Sequence, residues 1–143
     1  MKAAIARTFA GLAALAALTG MQGTWAHHTY TMFDGSRTAQ VTGTVARLEW
    51  RNPHVYVWVY VPDQKAASGY TLYAFENGAT NVLQRRGWSK NLLRAGDPIT
   101  VRYWPLKDGR PGGHFEEATL ADGRVMRGSG GPRGVNGDGP VTP

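Results

Sequence analysis

Three histidines carry most of the chemistry this sequence offers: His27 and His28 side by side, and His54 after Asn52-Pro53. Residues 1–26 have the plan of a secretory signal peptide. Lys2 and Arg7 precede the apolar run Phe9 to Leu18, and Thr24-Trp25-Ala26 stands before the expected cut. Cleavage after Ala26 gives His27 a free α-amine beside its imidazole. Amine and ring nitrogen together chelate one Cu(II), and a further imidazole completes the tetragonal nitrogen set that copper prefers. His28 follows too directly to face the same way easily, so His54 is the better third ligand. The expected metal is therefore copper, on His27, His28 and His54. The competing reading keeps the terminal histidines solvated and lets His54 hydrogen-bond across its own turn. His114 follows Gly112-Gly113, has no partner in sequence and stays outside the expected site.

The element that must position His54 is the strand it opens. From Val55 to Val61 the chain alternates without a fault: Val55, Val57, Val59 and Val61 on one face, Tyr56, Trp58 and Tyr60 with His54 on the other. The β-branched face suits a packed interior. The aromatic face, with Trp50 nearby and Glu76 as a neighbouring carboxylate, can stack a flat ligand such as a sugar or lipid-derived ring. Alternatively it lies under the N-terminal segment around Tyr30, Met32 and Phe33, since an uncovered apolar patch of that size is unusual on a monomer.

Around this strand the rest reads as one small all-β domain with one short helix. Gln40 to Trp50 forms a long first strand whose apolar register changes between Val45 and Leu48, which predicts a bulge or sharp coil near Gly43 to Arg47. Tyr70 to Glu76 is the third strand. A short helix follows, capped by Thr80 or Asn81 with Gln84 reaching back, and stopped by Gly87. Ile99 to Trp104 and His114 to Leu120 complete five strands. Three strands, a helix and two strands match a small Greek-key barrel of the oligonucleotide/oligosaccharide-binding (OB) type, with an SH3-like barrel as the alternative. The expected division is 1–26 signal peptide, 27–126 barrel, and 127–143 a disordered glycine- and proline-rich tail.

Composition bounds the function. Export is expected to the periplasm or beyond, with no membrane-spanning helix in the mature chain. Cysteine is absent, so the domain must be held by its core rather than by disulfides. Removing Lys2 and Arg7 from 16 basic residues leaves 14 against 10 acidic ones, net +4. That excess is spread along the chain and is no nucleic-acid signature. No cysteine nucleophile, Gly-x-Ser-x-Gly elbow or phosphate-cradling loop is present, and neither Glu49 nor Glu76 has a clear second carboxylate for acid–base work. The chain therefore reads as a binding module and not an enzyme. Its partner is a metal ion or a small stacking ligand, or else another protein of the cell envelope.

The motifs His27-His28, Phe33-Asp34, Gly43-Thr44-Val45, Asn52-Pro53-His54, Gly87-Trp88, Gly96-Asp97 and Leu106-Lys107-Asp108-Gly109 together resemble a family of small exported bacterial proteins of unknown function. The resemblance spans roughly His27 to Met126. It departs at Tyr73-Ala74-Phe75-Glu76, where the family often has a tryptophan shortly before the glutamate. It implies an exported small domain and carries no established activity.

Overall fold

The computed structural model describes residues 30–130. The chain divides between Thr31 and Met32 into two units. Of the first, only Tyr30 and Thr31 are described, and the fold is that of the second. The expected signal segment, His27 and His28 lie outside the described residues.

The elements run β1 (Ala39–Glu49), β2 (Tyr56–Pro62), β3 (Tyr70–Glu76), α1 (Thr80–Arg85), β4 (Pro98–Pro105), β5 (Gly112–Leu120) and β6 (Val125–Arg127). The sheet order is β3-β2-β1-β4-β5-β6, and β3 also pairs with β5. That last, parallel pairing closes five strands into an OB-like barrel, with β6 added on the outside of β5.

β1 serves two halves of the barrel. Its first half, Ala39 to Thr44, pairs with β4, and its second half, Thr44 to Glu49, pairs with β2. The ladder shifts between Val45 and Arg47, where the change of apolar register predicts it. Gly43 makes the coil possible, because a Cβ there would lie 2.2 Å from the Tyr60 carbonyl oxygen.

The barrel interior takes one face of each strand. Val57 pairs with Phe75 and Val59 with Tyr73 across β2 and β3, and Val45, Val101 and Phe115 join them from β1, β4 and β5. Val55, Val57, Val59, Phe75 and Phe115 have no exposed surface. Val61, at the far end of the same face, is only half-buried. Each fully buried side chain contributes about 1.5–3 kcal/mol by removal from water, so the valine face is the main stabilising feature that strand two supplies. Trp88 and Leu83 close one side, with the Trp88 ring edge-on to Phe115 at 5.2 Å.

Three local features differ from expectation. No helix residue supplies a side-chain cap: Ala79 is the N-cap, and Asn52 does the work from across the chain. Its Oδ1 accepts from the Thr80 amide at 3.0 Å and the Thr80 hydroxyl at 2.9 Å, satisfying a donor that the helix leaves open. Gly112-Gly113 is part of the barrel seam as well as the end of a turn. A Cβ on Gly112 would lie 2.1 Å from the Ala74 carbonyl oxygen, and one on Gly113 would lie 2.0 Å from that of Trp104.

The third difference is the domain boundary. Ordered structure continues beyond residue 126. Arg127 ends β6, and its carbonyl accepts from Trp88 Nε1 at 2.8 Å. Gly128 donates its amide to the Glu116 carbonyl at 2.8 Å and accepts from Arg86 Nη1 at 2.7 Å. Ser129 donates its amide to Asn77 Oδ1 at 2.9 Å. The domain therefore extends to at least Gly130; residues 131–143 lie outside the described range.

Candidate functional site

Three neighbours hold His54. The turn at Asn52-Pro53 brings it to the mouth of β2, the last residue of β3 supplies Glu76, and Asn77 follows directly. His54 Nδ1 lies 3.2 Å from Glu76 Oε1 and 3.2 Å from the Asn77 carbonyl oxygen. Both partners are acceptors, so Nδ1 carries the proton and donates. In the neutral ring the lone pair then sits on Nε2. Such an imidazole is oriented and ready to act as a metal ligand or acceptor through its other nitrogen.

The acceptors are themselves fixed. The Glu76 side chain is 12% exposed, and its Oε2 accepts from the Tyr56 hydroxyl at 2.7 Å. Burial first, and then that carboxylate, push the Tyr56 hydroxyl far above its ordinary range, so it remains a donor. Asn77 is almost fully buried. Its amide donates to the Val55 carbonyl, and its Oδ1 accepts from the amides of Gly78 and Ser129. Backbone and side-chain bonds thus aim the Asn77 carbonyl at His54.

The rest of the aromatic face is occupied from within. Trp58 Nε1 donates to Glu49 Oε2 at 2.9 Å, Arg51 pairs with Glu49 at 2.8 Å, and the Arg47 guanidinium lies 4.1 Å above the Trp58 ring. Tyr56 and Trp58 are neighbours, with ring centroids 6.3 Å apart. Trp50 is half-buried against the core. Tyr60 stands at the open end, edge-on to Tyr70 at 4.6 Å, and both are exposed.

Met32 and Phe33 run elsewhere: Phe33 bridges to Leu106, and the Met32 carbonyl accepts from the Lys107 amide. Of the predicted site residues, His54, Tyr56 and Glu76 come together, Trp58 joins Glu49, and Tyr60 belongs to a separate exposed group. His27 and His28 are outside the described residues. Among the described residues, no three histidine, cysteine or acidic side chains converge on one metal-sized position.

Two residues that sequence reasoning passed over also belong here. Asn77 gave no signal beyond an Asn-Gly turn. His114 is opposite Glu76 across the parallel seam, with Phe33 at 5.5 Å and Trp104 at 5.3 Å. Its Nε2 donates to the Gly130 carbonyl at 3.1 Å. Burial, the largest influence, lowers its pKa and favours the neutral ring. His114 thus clasps the end of the described chain and presents no Nε2 lone pair.

A family model described as "Family of unknown function (DUF6152)" matches residues 14–115. The chain belongs to this family. The DUF6152 match takes in β1 to β4 and ends inside β5, so His54, Glu76, Asn77 and His114 all fall within it. No curated protein and no solved structure matches the chain.

Proposed function

We propose that this DUF6152 protein is an exported binding module, without catalytic activity, that takes Cu(II) through His54. The observation carrying this reading is the double hold on His54 Nδ1 by Glu76 and Asn77. A histidine that ligates a metal through one nitrogen commonly donates from the other to a carboxylate or backbone carbonyl. Glu76 is accordingly the orienting carboxylate and not a ligand. The further donors expected from the sequence, the amine and imidazole of His27 with His28 beside it, lie outside the described residues.

The mature protein is expected to bind one Cu(II) per chain, and His54→Ala to bind substantially less tightly. Glu76→Gln keeps a hydrogen-bond acceptor but loses the charge, and is expected to weaken binding by about tenfold to a hundredfold. Competition titration against a chelator of known copper affinity measures both. Unchanged affinity in both variants would remove the barrel from the site.

A second reading, a protein-interaction module of the cell envelope, is favoured by Tyr60, Tyr70 and Leu72. These three lie exposed together at the open end of the same face. Metal content of protein purified from the exported fraction separates the two readings.

A further inference from the structure

A second candidate site lies where the barrel interior opens beside the β4–β5 connection. The cleft has a volume of about 380 Å³, within the range of small-molecule sites. Tyr73 and Tyr103 line it, edge-to-face with centroids 6.3 Å apart, while Arg37, Lys107 and Arg110 bring three cations to it.

The acids nearby are already engaged. Asp34 accepts from the Ser36 amide and hydroxyl, and Arg37 Nε is 3.9 Å from its Oδ2. Asp108 accepts from the Arg110 amide and from Arg110 Nε at 2.7 Å. Among the described residues, the Nη groups of Arg37 and Arg110 and Lys107 Nζ have no hydrogen-bond partner. The same is true of the Tyr73 and Tyr103 hydroxyls. Tyr103 as a whole is 7% exposed, and its hydroxyl keeps access to solvent at the cleft. Burial raises its pKa, with Tyr73 adding to the rise and Arg37 opposing it, which places that hydroxyl within electrostatic reach of both.

We infer that this cleft binds a small aromatic carboxylate, its ring against Tyr73 and Tyr103 and its charge on Arg37, Lys107 and Arg110. The cations select an anion, and the guanidinium groups offer the paired donors that a carboxylate accepts. The tyrosine walls select a flat apolar body over a simple ion. This inference does not depend on the copper reading, since it uses none of the same residues.

The test is an amide-resolved NMR titration of the folded protein with benzoate, benzamide and acetate in parallel. Benzoate is expected to shift the amides of Lys107, Gly109 and Gly112 saturably. Benzamide lacks the charge and acetate lacks the ring, and each is expected to bind about tenfold more weakly or less, as loss of a charge-assisted contact or of aromatic burial predicts. The double variant Arg37→Gln/Arg110→Gln is expected to lose the preference for benzoate over benzamide, while Arg124→Gln, on the Asp122-Gly123 turn, retains it. Acetate matching benzoate would reduce the cleft to a patch of surface cations. Benzamide matching benzoate, no saturable shift, or a preference surviving in the double variant would also overturn the assignment.

Discussion

Val57→Lys is expected to abolish the folded barrel. Val57 has no exposed surface, pairs with Phe75 across β2 and β3, and points to the interior with Val59 and Val45. A lysine there must either bury an unpaired ammonium or drag strand two out of register. Desolvation of an uncompensated charge costs several kcal/mol, comparable with the total stability of about 5–15 kcal/mol that small domains possess. The expected result is an insoluble or non-cooperatively melting variant by circular dichroism. Tyr60→Lys, on the opposite and exposed face of the same strand, is expected to shift the midpoint only slightly, because the ammonium stays in water. A soluble Val57→Lys protein melting cooperatively at the parent temperature would contradict the strand register.

Ending the chain after Arg127 is expected to lower the thermal midpoint substantially relative to a chain ended after Gly130. The three residues between supply partners for Glu116, Arg86, Asn77 and His114. Four part-buried hydrogen bonds at about 1 kcal/mol each amount to on the order of 4 kcal/mol, or roughly 15–30 °C for a domain near 100 residues. The shorter chain also leaves the Asn77 side chain with the Gly78 amide alone, so its His54 is expected to be less firmly held. Differential scanning calorimetry on the two chains measures the first effect. Coincident midpoints would show that Gly128 to Gly130 contribute nothing to the fold.

Much of the barrel was legible because strands announce themselves by period two. Val55 to Val61 has one face of valines, and that face is the interior. The shift from Val45 to Leu48 located the bulge, because a change of apolar register requires an extra residue in one strand. The β3–β5 seam was not legible. It joins Ala74-Phe75-Glu76 to Gly112-Gly113-His114, and glycines bear no side chains from which a pattern can be read.

Pairings between distant polar residues were equally silent. Asn52 caps α1 from 28 residues away in sequence, and nothing local marks it as a cap. The aromatic face was correctly placed outside the barrel with Glu76 beside it, but the bonds that occupy it were not foreseen. Glu49, Arg47 and Glu76 fill it with ion pairs, a cation over Trp58, and a hydrogen-bonded Tyr56. Residues 128–130 read as unstructured because composition registers side chains, whereas this segment is held chiefly through its backbone amides and carbonyls.

The copper reading depends on a free amine at His27, and electron paramagnetic resonance tests that requirement most directly. Two preparations are compared at one equivalent of Cu(II): protein exported and cleaved before His27, and protein made in the cytosol with a methionine ahead of His27. Every imidazole is present in both, but only the first has the amine–imidazole chelate at its terminus. The account predicts tight binding with nitrogen-rich tetragonal parameters in the cleaved form, lost on His54→Ala, and much weaker binding with altered parameters in the extended form. Equally weak binding by both preparations would contradict it, leaving His54 as a residue that ties its turn to Glu76 and Asn77.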